Sequence, residues 1–178
     1  MKRSLLLPSM LVALIVLSLS ISTLLPYVTP MLNEVRNGSG VVLSLRFIPS
    51  TSMLSERVGN VKQIYVEVHI ASASGPMTTV YRGPLATYMI GLSYSTNEAF
   101  RRVVDSWCRL LASRNELDSI RRTEGRGIIV DVYIVGSKGI LHLMEGTTFH
   151  PWRICRGELE ILNVVLDVRS AELIRNTG

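Results

Sequence analysis

Most of the residue patterns that identify an enzyme are missing from this chain of 178 residues. It has no Gly-x-Ser-x-Gly nucleophile elbow, and its glycine-serine turns at 72–75 and 136–139 lack the Gly-Lys-Ser/Thr ending of a phosphate-binding loop. Its two cysteines do not form a CxxC pair, which argues against thiol exchange as an activity. These absences favour a binding or structural protein, without a cofactor, over an enzyme.

Basic charge is modest once the N-terminal leader is set aside. Only 3 of the 19 basic residues are lysine, and residues 41–178 hold 16 basic side chains against 13 acidic ones. The resulting charge of +3 is small and scattered along the chain. Nucleic acid is therefore not expected as a partner.

A long uncharged run occupies the N-terminus. No charged residue occurs from Ser4 to Asn33, directly after Met1-Lys2-Arg3. At about 1.5 Å per residue, Leu5 to Val28 is long enough to cross a hydrocarbon layer of about 30 Å. Basic residues before the run and mixed charges after it place the C-terminal part outside the cytoplasm. The sequence predicts a signal-anchor helix over residues 1–30, embedded in the membrane through residues 5–28.

A cleaved signal peptide is the alternative for this leader. Small residues at Ser18, Ser20 and Ser22 have the spacing of a cleavage site, and cleavage there would release a secreted product. The apolar character continues past them through Leu24, Leu25 and Val28, as an uncleaved anchor requires.

Residues 31–40 are predicted to form a polar linker. It contains the sequon Asn37-Gly38-Ser39, so Asn37 is a candidate for glycosylation, with a plain turn as the alternative. The remaining 41–178 have the size of one extracytoplasmic domain with a single hydrophobic core.

Alternating apolar residues predict strands through most of this domain. Val41–Ile48 alternates, and in Val61–Ala71 the residues Ile64, Val66, Val68 and Ile70 share one face. Two further segments, 77–82 and 85–92, are expected to pair with each other across Gly83-Pro84. After a central helix, strands are predicted at 127–135, 140–144 and 158–168, with an irregular stretch at 145–157 and a helical tail at 170–175.

A helical period replaces the strand period after Ser95. Ser95 and Glu98 have capping-box spacing, and apolar residues then recur every three or four positions. A second capping box at Ser113–Glu116 predicts that this amphipathic helix, 96–123, bends or breaks there. The predicted fold class is α+β: a mostly antiparallel sheet packed against one long, broken amphipathic helix.

The two cysteines, Cys108 and Cys155, both lie in the domain expected outside the cytoplasm. That compartment favours a disulfide between them over two buried thiols. The bond would join the helix to the irregular stretch.

Residues able to bind metal are few. The histidines His69, His142 and His150, with Glu67 and Glu145, supply imidazole and carboxylate groups, but their spacing matches no closed zinc pattern. No metal site is therefore assigned, and whether any of these histidines binds metal stays open.

The irregular stretch contains the best candidate for a partner contact. Phe149, His150, Trp152 and Arg153 bring aromatic and guanidinium groups together, as interface hot spots do. The alternative is that Phe149 and Trp152 close one end of the core.

Three functions follow in order. The first is a membrane-anchored binding or structural domain, an accessory or surface component with a protein partner. The second is a filament subunit: the short basic leader, the uncharged helix and the strand-rich head resemble archaeal-type pilins over residues 1–35, without a specific processing motif. The third is an extracytoplasmic hydrolase, which would need His and carboxylate side chains to converge in three dimensions.

Overall fold

The computed structural model describes residues 38–48, 51–73, 75, 77–114 and 125–174. The predicted anchor, the cleavage site, most of the linker and Asn37 lie outside the described residues. Within the described part, no helix is long and apolar enough to cross a membrane. The elements, in chain order, are β1 (Gly40–Ile48), α1 (Thr51–Val58), β2 (Val61–Ala71), β3 (Met77–Pro84), β4 (Met89–Ser93), α2 (Glu98–Ser113), β5 (Arg126–Gly136), β6 (Gly139–Phe149), α3 (Pro151–Cys155), β7 (Leu159–Asp167), a 3₁₀ turn (Val168–Ser170) and β8 (Glu172–Ile174).

The strands form two sheets and not the one expected. Five strands lie in the order β3-β2-β5-β6-β8, and every neighbouring pair is antiparallel. The other three lie in the order β4-β1-β7, where β1 pairs with β4 antiparallel and with β7 parallel. The predicted α+β class with mostly antiparallel strands is confirmed.

One hydrophobic core draws on both sheets and on α2. The predicted inward face of β2 is buried at Val66, Val68 and Ile70, and β5 contributes its own alternating set. Strand β1 is buried on both faces from Val41 to Leu43, because it is the central strand of the smaller sheet. A one-sided reading of its alternation was therefore too simple.

The central helix begins two residues later than its sequence suggests. Asn97 and not Ser95 is the N-cap: its side-chain oxygen accepts from the Phe100 amide at 2.9 Å, while its amide nitrogen donates to the Val80 carbonyl at 2.7 Å. The helix ends at Ser113, where a break was predicted, and residues 115–124 of the expected second helix are outside the described part.

Several boundaries were predicted wrongly. Strands 77–82 and 85–92 do not form a pair, since β3 pairs with β2 and β4 with β1. Strand β6 continues to Phe149 through half of the supposed irregular stretch, and the rest holds the short helix α3. The tail at 172–174 is a strand, β8, and not a helix.

Helix α1 was not predicted, and it is fixed at both ends by backbone contacts. The Lys138 amide donates to the Val58 carbonyl at 2.9 Å, and a Cβ on Gly136 would lie 2.2 Å from that same oxygen. Arg57 donates from its guanidinium to the carbonyls of Val168 and Ala171. Helix α1 thereby joins the β5–β6 hairpin to the C-terminal end of the domain.

The predicted disulfide is present. Cys108 on α2 is bonded to Cys155, the last residue of α3, with the two Cα atoms 5.6 Å apart. Both cysteines are half-buried against the core. The bond holds α3 against α2 at the edge of the core.

Candidate functional site

Four ionisable side chains meet on the outer face of the five-stranded sheet. The imidazole–carboxylate cluster, as we name it, consists of Glu67, His69, Asp131 and His142. In each strand these residues alternate with buried apolar ones, so they stand on the face turned away from the core. Adjacent strands β2, β5 and β6 supply them, which explains why distant sequence positions converge.

Asp131 is the centre of the cluster. Its Oδ1 lies 2.7 Å from His142 Nε2, and its Oδ2 lies 3.4 Å from His69 Nε2. The same His69 nitrogen is 3.5 Å from Glu67 Oε2. One imidazole thus bridges two carboxylates, and the second imidazole is hydrogen-bonded to one of them.

Further side chains hold the members of the cluster in place. Thr79 Oγ1 is 2.9 Å from His69 Nδ1, at a β-bulge in the β2–β3 pairing. Arg82 forms a two-point ion pair with Glu67, at 3.0 and 3.2 Å. Tyr133 stacks on the His142 ring with centroids 4.6 Å apart. Burial, and then the negative charges of Asp131 and Glu67, raise the pKa of Tyr133.

The cluster has the groups for proton transfer but not the arrangement of a metal centre. Among the described residues, no three His, Cys, Asp or Glu side chains are placed to hold a metal ion. Of the five metal candidates, Glu67, His69 and His142 come together. Glu145 stands on the opposite face of β6 from His142, and His150 is bonded elsewhere.

His150 is held by a buried carboxylate. Glu160 Oε2 accepts the His150 backbone N–H at 2.8 Å, and Oε1 lies 2.6 Å from His150 Nδ1. The Glu160 side chain is 5 % exposed and that of His150 is 40 % exposed. A buried carboxylate of this kind fixes both the orientation and the hydrogen position of an imidazole.

Trp152 lies beside His150 at the surface, and two guanidinium groups flank it. The two rings are 6.3 Å apart in an edge-to-face arrangement. The guanidinium carbons of Arg153 and Arg156 are each 5.9 Å from the Trp152 ring, within cation–π range. We call His150, Trp152, Arg153 and Arg156 the α3 surface.

The candidate contact residues are divided by the structure. Phe149 is completely buried in the core, so it cannot touch a partner, and its assignment as a contact was wrong. His150, Trp152 and Arg153 are half-buried and remain candidates. Strand alternation explains the difference, because Phe149 is the last inward-facing residue of β6.

A cleft of about 350 Å³ lies beside the disulfide, with Tyr94, Asp105 and both cysteines in its wall. The Tyr94 hydroxyl donates to the Asp105 carboxylate. That hydrogen bond, with burial and the charge of Asp105, raises the pKa of Tyr94.

Sequence reasoning missed the partners of its own candidates. Asp131 was taken as needing only solvent or an arginine, yet it bonds His142. Glu160 was overlooked, although it occupies an inward position of β7 on the same face as Leu162, Val164 and Leu166. A carboxylate in an otherwise apolar strand face is the signal that could have identified it.

Comparison of the chain with protein-family models, curated proteins and solved structures finds no match.

Proposed function

We propose that this chain is a single-pass membrane protein that presents residues 41–178 outside the cytoplasm as a binding or structural component. The uncharged run over residues 5–28 would anchor it. The observation that carries the proposal is the disulfide between Cys108 and Cys155. Such bonds persist mainly in oxidising compartments, which is where the leader would deliver the domain.

Contact with a partner is the proposed mode of action. The α3 surface supports this proposal, because an indole flanked by an imidazole and two guanidinium groups has the composition of an interface hot spot. The disulfide ties this surface to α2, so the side chains are held in place before a partner arrives.

Intact mass and N-terminal sequencing of the protein purified from membranes test the location. A chain that starts at Met1 supports the anchor. A start at Ser4 or Leu5 would indicate pilin-like processing and favour the filament subunit, and a start at Ile21 or Thr23 would indicate a secreted product. The same mass would show whether Asn37 carries a sugar.

The imidazole–carboxylate cluster supports a second candidate, an extracytoplasmic hydrolase. Convergence of histidines and carboxylates was the condition for that reading, and Asp131, His142, His69 and Glu67 meet it. Screening the purified protein against ester, glycoside and phosphoester substrates tests the idea, with His142→Asn as the comparison. Hydrolysis that the variant retains would come from a contaminant or another site.

A further inference from the structure

Glu160 occupies a position where an apolar residue would be expected. Its neighbours on the same face of β7 include Val164 and Leu166, both buried. A carboxylate in such a place is costly unless it is hydrogen-bonded. Both of its oxygens are used by one residue, His150, at 2.8 and 2.6 Å.

This pairing decides which nitrogen of His150 faces outward. An ionised carboxylate only accepts hydrogen bonds, so Nδ1 must carry the hydrogen directed at Glu160. The other ring nitrogen, Nε2, is the atom left for solvent or for a ligand on this 40 % exposed side chain. His150 is therefore a pre-oriented polar contact at the edge of the Trp152 ring.

Cationic groups predominate around that ring. Arg153 and Arg156 both approach the indole at 5.9 Å. Glu160 is buried and committed to His150, so Glu158, which pairs with Arg153 at 3.0 Å, is the acidic side chain at the rim. Guanidinium groups beside an aromatic ring suit carboxylate ligands, which they can bind at two points.

We propose that the α3 surface binds an acidic segment of a partner protein. Carboxylates of the segment would pair with Arg153 and Arg156, its carbon chain would pack on Trp152, and His150 Nε2 would supply one oriented hydrogen bond. The inference rests on the proposed function, because it specifies the chemistry of the partner at the same surface.

A fluorescein-labelled polyglutamate peptide is the probe, titrated against the full chain in uncharged lipid nanodiscs and followed by anisotropy. We expect binding of polyglutamate and no binding of polylysine. The double variant Arg153→Gln/Arg156→Gln should weaken binding by at least about tenfold, because charge-assisted hydrogen bonds are lost. The matched control is Arg102→Gln, which removes an exposed guanidinium that is likewise paired with a carboxylate, on α2.

His150→Asn isolates the outward nitrogen. The amide nitrogen of Asn is as many bonds from Cα as Nδ1, so the variant can still donate to Glu160 while it lacks Nε2. We expect weaker polyglutamate binding with an unchanged near-ultraviolet circular dichroism spectrum. Unchanged affinity in this variant would remove His150 from the site.

A measurement on the unmodified chain guards against misfolded variants. A benzophenone-bearing polyglutamate peptide should photo-crosslink within residues 150–156, as located by mass spectrometry. Crosslinks elsewhere, undiminished binding by the arginine variant, or equally tight binding of oligothymidylate would overturn the proposal, the last in favour of general polyanion binding.

The inference and the proposed function can fail separately. If Trp152→Ala abolishes co-purification of a partner while polyglutamate does not bind, the contact function stands and the acidic chemistry is wrong. If polyglutamate binds as expected but N-terminal sequencing and protease accessibility place the domain inside the cytoplasm, the location is wrong and the surface chemistry stands.

Discussion

Glu67 and Asp131 face each other directly across the β2–β5 pair, two carboxylates in register on the outer face of the sheet. Like charges in such a cross-strand pair destabilise a sheet. The surrounding side chains offset this repulsion: Arg82 pairs with Glu67, His142 pairs with Asp131, and His69 lies between the two acids. The two carboxylates nevertheless differ in how much they depend on their partners.

Replacement of Asp131 by Ala should destabilise the domain by about 1 to 3 kcal/mol, because two half-buried imidazoles lose an acceptor. Glu67→Gln should change stability by less than about 1 kcal/mol, since its partner Arg82 is 61 % exposed. Urea unfolding followed by circular dichroism measures both. A larger loss for Glu67→Gln than for Asp131→Ala would mean that Asp131 is not the centre of the cluster.

Deletion of residues 1–36 should leave a soluble, folded domain. The buried core described here runs from Val41 to Ala171 and draws on both sheets and α2. Gel filtration and near-ultraviolet circular dichroism under oxidising conditions provide the check. An aggregated or unfolded product would show that the domain depends on its leader or on a partner.

Thiol titration of the denatured, unreduced protein should find no free cysteine. Replacing both Cys108 and Cys155 by Ala should then cost about 4 kcal/mol or less, because the bond closes a long loop in the unfolded chain. Two titratable thiols would contradict the bond and remove the main support for an oxidising compartment.

The two tryptophans should respond differently to replacement by Ala. Trp107 is 6 % exposed, lies in the core and donates to the Ala71 carbonyl at 2.8 Å, so its loss should cost about 3 to 5 kcal/mol. Trp152→Ala should leave the unfolding midpoint nearly unchanged and abolish co-purification of a partner. A Trp152→Ala protein that folds and keeps all its partners would refute the contact role of α3.

Tyr94 should ionise at a higher pH than an ordinary tyrosine. Its hydrogen bond to Asp105 raises its pKa, so the folded domain keeps the phenol protonated where the unfolded chain begins to lose it. This contribution to stability is complete below the ordinary tyrosine pKa of about 10 and is lost as pH rises through the raised value. Absorbance titration at alkaline pH should show an earlier transition in Asp105→Asn, with Tyr94→Phe identifying the tyrosine responsible.

Local patterns succeeded where the physical cause was itself local. The alternation in Val61–Ala71 corresponds to β2 without a shift, and the apolar stripe around Phe100 and Trp107 identified α2. The disulfide followed from compartment and the number of cysteines. These features need no knowledge of what lies opposite.

Pairing between distant segments was beyond such reasoning. The N-cap passed from Ser95 to Asn97 because the Asn97 side chain also reaches the Val80 carbonyl on β3. The imidazole–carboxylate cluster depends on the register of β2, β5 and β6, in which Glu67 meets Asp131 and Tyr133 meets His142. Glu160 gained its meaning only when β7 came to lie beside His150.

The parallel pairing of β1 with β7 affects the order of folding. The first strand of the domain is central in its sheet, and its partner is contributed almost last, with registered pairs from Gly40 and Leu159 to Ile48 and Asp167. Contacts between such distant segments form slowly, because a long loop must close first. During synthesis β1 must wait, its apolar residues uncovered, until nearly the whole domain has emerged; this makes it the strand most in need of protection by chaperones.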